Sequence, residues 1–446
     1  MEPFALALMA LALVLLLLVL RVPITFALGM SAALGLLTFF SWRPGDTFDL
    51  ERGLGPTISL LGSTPFEFIH NYPLSMIPLF IGLGHVAYHA RITTDIYDAI
   101  RVWLARLPGG LAMASVIGCG GFSAITGSSV ACASAMGRIA VPEMLRYDYS
   151  PKLATASVAA GGTLGSLIPP SILFVIYAIF TEQSVKSLFI AGIIPGILSL
   201  VGYLITIYVW ARMRETDAPA PDFEISTEDR WGAVLKIWPA ALLLVIVIGG
   251  IFFGVFTPTE AAAVSFATAV LIGFTTGRLS LSDFILSLKD TAFQTSMIFA
   301  IAIAAKIFVA FLSLTQFAPA MLDVVLDTGA SIVLVLIAII LLYLILGMFL
   351  DSIGILVLTL PLTVPLIEGY GLDLIWFGVV VVKLLEIGLI TPPIGLNVFV
   401  INGVTPNKVL IEDIFYGVAR FLLLDGLVLC LIVLVPAISL FLPRLS

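Results

Sequence analysis

The sequence predicts an all-α polytopic membrane protein built as two inverted repeats, each with a re-entrant helical hairpin and a broken helix. Three observations carry this. First, 60% of the 446 residues are hydrophobic and 11% are charged, with a mean hydropathy of +1.17. A soluble domain carries about 25% charged residues, so the apolar excess here has to face lipid. Second, apolar runs long enough to cross about 30 Å of hydrocarbon recur throughout. Third, a glycine and proline pattern returns at a fixed offset of 223 residues, the mark of an internal repeat.

The spans read as roughly 4–20, 22–40, 73–90, 153–182, 188–210, 238–256, 258–276, 291–313, 374–404 and 415–442. Phe4–Leu20 reads as a retained first span, because only Glu2 stands where a signal peptide has its basic region and no small-residue cleavage site follows. Two further apolar regions, 108–143 and 331–367, divide into two arms around Thr126-Gly127-Ser128-Ser129 and Asp351-Ser352. Each is long enough to enter the membrane, turn and return. Irregular backbone at that depth requires cover from protein or a watery cavity. Trp42–Asn71 is more polar and reads as interfacial, and Arg212–Lys236 reads as an exposed linker ending in an amphipathic approach to the next span. The chain then divides into 1–107 (N-terminal spans), 108–210 (first repeat), 211–237 (linker), 238–330 (central spans) and 331–446 (second repeat). The net charge of −7 is spread through loops and implies no nucleic-acid partner. Cys119, Cys132 and Cys430 lie in apolar runs without paired spacing, which points to neither disulfides nor zinc.

At the 223-residue offset, Gly165-Ser-Leu-Ile-Pro-Pro-Ser-Ile-Leu173 pairs with Gly388-Leu-Ile-Thr-Pro-Pro-Ile-Gly-Leu396, and Pro142 pairs with Pro365. Five spans separate the two hairpin regions. A hairpin returns to the side it entered from, so an odd number makes the second enter from the opposite face, as in many secondary transporters. Each Pro-Pro also has a direct consequence. Proline lacks an N–H and clashes with the preceding turn, costing about 3 kcal/mol inside a helix. Two in succession unwind the helix. Unwinding frees carbonyl oxygens, which with Ser/Thr hydroxyls suit a small hard cation, and leaves a positive half-helix end that suits an anionic group. The bland alternative is a proline kink without a ligand.

Thr126-Gly-Ser-Ser-Val-Ala, Ile-Ala-Val-Pro-Glu-Met144, Gly165-Ser-Leu-Ile-Pro-Pro-Ser171, Ala191-Gly-Ile-Ile-Pro-Gly196, Thr257-Pro-Thr-Glu-Ala261 and Gly388-Leu-Ile-Thr-Pro-Pro-Ile-Gly-Leu-Asn397 resemble the large membrane subunit of tripartite ATP-independent periplasmic (TRAP) transporters, the DctM-like family. The resemblance runs over nearly the whole chain. Thr126 departs from the serine more common in the family but keeps the hydroxyl. The resemblance implies a sodium-driven, elevator-type importer in the bacterial inner membrane, with sodium as coupling ion, no other cofactor and no enzymatic activity. It implies a periplasmic binding protein that delivers a small organic acid, such as a C4-dicarboxylate or sialic acid, and a separate small four-helix membrane subunit. Carried onto this sequence, one sodium site uses Thr126, Ser128, Gly165, Ile168 and Pro169, and the second uses Gly347, Gly388, Thr391 and Ile394, mostly through backbone carbonyls. The substrate lies near Ser128, Ser129, Ser171 and Asn397.

Other residues have two readings each. His85 and His89, four apart, could bind zinc but lack a zincin glutamate, which favours a structural role. Asp351, Lys383 and Glu386 are ionisable groups in apolar surroundings, functional by default, although Lys383 and Glu386 could neutralise each other at i,i+3. Glu143 and Arg138 read as fixing the base of the first hairpin or meeting water, and Glu260 as a helix N-terminal carboxylate. A stand-alone proton- or sodium-coupled anion carrier is the alternative within transport, with Asp351 and Glu386 as proton carriers. An intramembrane enzyme would need convergent acid and base groups, and the sequence offers scattered ones; a channel would lack saturation and obligatory sodium coupling.

Overall fold

The computed structural model describes residues 2–42, 47–219, 227–405 and 409–445. The centre of the 211–237 linker lies outside the described residues, and of 227–230 only the backbone is described. Among the described residues every regular element is helical. In chain order these are α1 (Pro3–Val19), α2 (Ile24–Ser41), α3 (Leu50–Ile69), α4 (Met76–His89), α5 (Ile92–Leu104), α6 (Gly110–Thr126), α7 (Ser129–Arg146), α8 (Pro151–Gly162), α9 (Leu164–Leu167), α10 (Ile172–Thr181) and α11 (Val185–Met213). There follow α12 (Thr227–Lys236), α13 (Trp238–Leu244), α14 (Gly250–Phe252), α15 (Pro258–Thr275), α16 (Leu281–Leu314), α17 (Phe317–Asp327), α18 (Ile332–Gly347), α19 (Ser352–Gly369), α20 (Leu374–Gly388), α21 (Leu396–Val404), α22 (Ile411–Leu434) and α23 (Ala437–Leu440).

The repeat is visible in the helix ends. Ser129 and Ser352 begin α7 and α19, Arg146 and Gly369 end them, and Pro151 and Leu374 begin α8 and α20, each pair at the 223-residue offset. Four helices or helix runs between the hairpins are long and apolar enough to cross a membrane, Pro151–Thr181, Val185–Met213, Pro258–Thr275 and Leu281–Leu314, and the shorter apolar run Trp238–Phe252 lies among them. Counted with that run, they make the odd number an inverted repeat requires.

Several boundaries differ from expectation for local reasons. The span read at 291–313 begins ten residues earlier, at Leu281, after the Ser280 hydroxyl accepts the Asp283 N–H at 3.1 Å. The last span stops at Leu434 because Pro436 follows. The interfacial stretch contains a 20-residue amphipathic helix, α3, whose N-cap Asp49 accepts from the Glu51 and Arg52 N–H groups. The expected N-terminal role of Glu260 is met by a capping box: its N–H donates to Thr257 Oγ1 (3.3 Å) while its carboxylate accepts the Thr257 N–H (2.8 Å).

Two compact units emerge. The first comprises Met1–Ser75, Phe293–Leu341 and Ile353–Leu374. Its helices meet through aromatic contacts, Phe4 stacking on Phe317 at 5.5 Å and Phe68 meeting Phe299 edge-on at 6.2 Å. Within it α18 presents Val333, Leu334, Ile337 and Leu341 outward. A soluble protein avoids an apolar face of this kind; in lipid it is the ordinary surface.

The second unit comprises Met76–Ala292, Leu342–Ser352 and Ile375–Ser446. Its core is the α6–α7 hairpin packed on α8, α9 and α11, with α21 and α22 completing the enclosure. Cys119 and Cys132, Ala133, Met136 and Ala140 are wholly buried there. Small residues on the facing surfaces let membrane helices approach closely. The hairpin base is held by Glu143, which pairs with Arg101 of α5. Half-burial pushes the Asp98 carboxyl of α5 above its usual value, while the facing Arg101 guanidinium pulls it back.

Candidate functional site

The site lies within the second unit and is built on two helix breaks. In the first, Pro169 and Pro170 supply no N–H, so the carbonyls of Gly165 and Ser166 lose their helical donors. The chain leaves α9 at extended Ile168 and re-enters helix at Ser171, whose Oγ accepts the Phe174 N–H at 3.3 Å. In the second, Pro392 and Pro393 do the same to Gly388 and Leu389, and helix resumes after Gly395 (φ +59°). There the freed carbonyls find other donors: Gly388 O accepts from the Thr391 N–H at 3.2 Å and Leu389 O from the Asn397 N–H at 2.9 Å. The peptide bond within each proline pair is cis.

A hairpin tip seats on each break. Gly127 closes α6 with φ +64°, and its carbonyl accepts the Ile172 N–H at 3.2 Å. A Cβ on Gly127 would stand 2.5 Å from Pro170 O, and one on Gly165 would stand 2.6 Å from the Ser129 backbone N. Only glycine permits this approach on either side. At the second tip a Cβ on Gly388 would stand 2.7 Å from Gly347 Cα. The structure thus brings Gly127, Ser128 and Ser129 onto Gly165, Pro170 and Ser171, and brings Gly347 onto Gly388.

The individual residues of the expected sodium sites fall as follows. Thr126 is the buried last residue of α6, its Oγ1 donating to Phe122 O at 3.2 Å. Ser128 is half-buried and caps α7, accepting the Ala131 N–H at 3.4 Å. Ile168 is half-buried and Pro169 buried. Thr391 donates its hydroxyl to Ile387 O at 2.6 Å, and Ile394 is 38% exposed in the open part of the second break. Of the residues expected near substrate, Ser128, Ser129 and Ser171 gather at the first tip. Asn397 is fully buried against α8, donating Nδ2 to Ala159 O at 3.5 Å while its Oδ1 is left without a partner.

Two buried polar clusters complete the picture. Ser129 Oγ donates to Glu386 Oε2 at 2.7 Å and shares a hydrogen bond with Ser166 Oγ at 2.9 Å. This joins the first hairpin tip, the first break and the helix leading into the second. Lys383 does not neutralise Glu386, as the i,i+3 spacing suggested. Its Nζ binds Asp425 Oδ1 at 2.6 Å and Ser199 Oγ at 3.1 Å, because the lysine side chain points across to α22 and α11. Tyr203 OH donates to the same carboxylate at 2.7 Å and meets Thr163 Oγ1 at 2.9 Å. Asp425, Tyr203, Ser199, Ser166 and Thr163 were not singled out from the sequence. Asp425 carried a readable signal, a lone acid inside the apolar run of α22. The neutral hydroxyls carried none. Asp351 immediately precedes α19, half-buried at the second tip.

Two helices broken at equivalent Pro-Pro pairs, each under a hairpin tip, in a chain of long apolar helices, define a multi-pass membrane transport protein. The family model described as "Tripartite ATP-independent periplasmic transporter, DctM component" matches residues 11–438, and the chain belongs to that family. It is therefore a transporter permease component and not an enzyme. It is 33% identical over 419 residues to the C4-dicarboxylate TRAP transporter large permease protein DctM of Pseudomonas aeruginosa, covering 94% of each chain. It is 31% identical to the isethionate TRAP transporter permease protein DctMQ of Oleidesulfovibrio alaskensis, covering 94% of this chain and 64% of that longer one. Its fold is similar to that of the Alcanivorax borkumensis YdaH transporter, with a TM-score of 0.61 at 15% identity over 100% of this chain and 98% of the other.

Proposed function

We propose that the chain is the sodium-coupled large permease subunit of an importer for a small organic acid in the bacterial inner membrane. The observation that supports it best is the seating of each hairpin tip on the glycine that precedes each Pro-Pro break. Loosened backbone, hydroxyls and close glycine packing occur together at both places, as a small hard cation requires. In this reading one sodium ion is held by Thr126, Ser128, Gly165, Ile168 and Pro169, and another by Gly347, Gly388, Thr391 and Ile394. The substrate lies between them. Ser128, Ser129 and Ser171 would offer hydroxyls and the α10 N-terminus would face the carboxylate, with Asn397 Oδ1 free to accept from the substrate's own hydroxyl or amide. The substrate class is supported by relatives named for C4-dicarboxylate and isethionate, both organic anions. In this reading both hairpins are re-entrant and move together in an elevator-type cycle. A periplasmic binding protein delivers the substrate and a separate small four-helix membrane subunit flanks the chain.

The test is uptake in proteoliposomes containing the chain with its small subunit and binding protein. Imposed sodium gradients should drive accumulation. Thr391→Ala should raise the sodium concentration for half-maximal uptake by about tenfold or more, equivalent to about 1.4 kcal/mol. Unchanged sodium dependence would remove the second site from the reading.

A further inference from the structure

The site described above leaves Arg138 without a role. The sequence groups it with Glu143 at the base of the first hairpin, but the structure separates the two. Glu143 takes Arg101 of α5, and no ion pair among the described residues includes Arg138. Arg138 is exposed and stands near the middle of the 18-residue α7, about 12 Å short of its C-terminal end. With α6 and α7 read as a re-entrant hairpin, this sets a cation deeper in the membrane than the Arg101–Glu143 pair. A cation at such depth has to face water or an anion.

The side of α7 that carries it agrees. Ser128, Ala131, Ser134 and Arg138 follow at i, i+3, i+6 and i+10, so they share one side of the helix. Each is half-buried or exposed, whereas Cys132, Ala133, Met136 and Gly137 on the other side are buried. The row holds small and polar residues, unlike the exposed Val333, Leu334, Ile337 and Leu341 of the lipid-facing α18. It begins at the Ser128 hydroxyl of the hairpin tip. We propose that Arg138 is an anion-binding station on a water-lined path along α7. It takes the carboxylate or sulfonate group of an organic anion moving between the hairpin tip and the hairpin base. The inference rests on the reading of that tip as part of the substrate site. Helix side chains lean toward the N-terminus, so the guanidinium reaches back toward the tip. Arginine stays charged throughout the physiological pH range and presents a planar fork of donors to such a group. In water the pairing is weak enough for release.

The experiment compares the rates at which two thiol reagents of similar size modify Ser134→Cys, one turn nearer the tip. One is sulfonatoethyl methanethiosulfonate, an anion, and the other is its trimethylammonioethyl counterpart, a cation. The purified full chain is used in sodium-free potassium buffer with Cys430→Ser, since Cys430 is exposed and Cys119 and Cys132 are buried. Both reagents should react, the anion faster. Arg138→Gln should lower the anion-to-cation rate ratio by about fivefold, the effect of one charge about 8 Å away through water on reagents two charges apart. Arg138→Lys should keep the ratio, because it restores the charge. An unchanged ratio in Arg138→Gln, or no reaction with either reagent, would overturn the proposal. If Ser134→Cys does not fold, Ala131→Cys on the same row serves, and the same outcomes decide. A failure of sodium-driven uptake would sink the sodium reading alone, because these rates are recorded without sodium.

Discussion

The Gly165–Ser171 break is buried except at Ile168 and is surrounded by hydroxyls, whereas the Gly388–Asn397 break exposes Pro392, Pro393 and Ile394 and is approached by a helix carrying buried Lys383 and Glu386. The backbones of the two regions are closely alike: glycine, three residues, two prolines, a restart of helix, and a hairpin tip resting on the glycine. Their side chains differ. Thr163 stands in the first repeat where Glu386 stands in the second, and it makes a neutral hydrogen bond to Tyr203. Proline and glycine dictate the unwinding through missing donors and missing Cβ atoms, so both repeats keep it. The polar residues around it are free to diverge. The first break is thus a closed turn packed among hydroxyls, and the second a half-open one backed by charge.

The largest effect that separates the two should come from the charged side. Lys383→Met leaves Asp425 buried and unpaired, which should cost about 3–5 kcal/mol and lower the thermal unfolding midpoint of the purified chain. Adding Asp425→Asn should restore most of the loss. If Lys383→Met is as stable as wild type, the second break does not depend on its charges. Next, Gly165→Ala should cost about 1–3 kcal/mol, because the new methyl meets the Ser128–Ser129 backbone and neither side can yield. Gly388→Ala should cost a similar amount, because its new methyl would stand 2.7 Å from Gly347 Cα. A much cheaper substitution at either glycine in the same unfolding assay would break the equivalence of the two seats. Smallest of these, Thr163→Ala should cost about 0.5–1.5 kcal/mol by removing one partner of Tyr203, well below the effect at Lys383.

The backbone half of this comparison was legible in the sequence. Gly165, Pro169 and Pro170 announced the first break, and their counterparts at a constant offset announced the second. Those signals are local, since a missing N–H acts on the residue four back wherever the chain goes. The polar half was not legible, because it depends on helices far apart in sequence. Nothing near Ser129 points to Glu386, and nothing near Lys383 selects Asp425 over Glu386. Spacing along one helix favoured Glu386, but packing of α20 on α22 and α11 decided otherwise. The amphipathic α5 lies outside the expected spans, although Arg101 within it holds the hairpin base through Glu143. Its charged face makes it too polar to read as a span, and only its Ile92, Ile96 and Tyr97 stripe is buried.

The most direct test of the claim that both clasped breaks hold sodium is a thermal unfolding titration of the purified full chain with sodium against potassium. A ligand at about 100 times its dissociation constant stabilises the native state by about 2.7 kcal/mol. Sodium should therefore raise the unfolding midpoint of wild type where potassium does not, and Gly165→Ala and Gly388→Ala should each reduce that rise. Identical midpoints in sodium and potassium would contradict it.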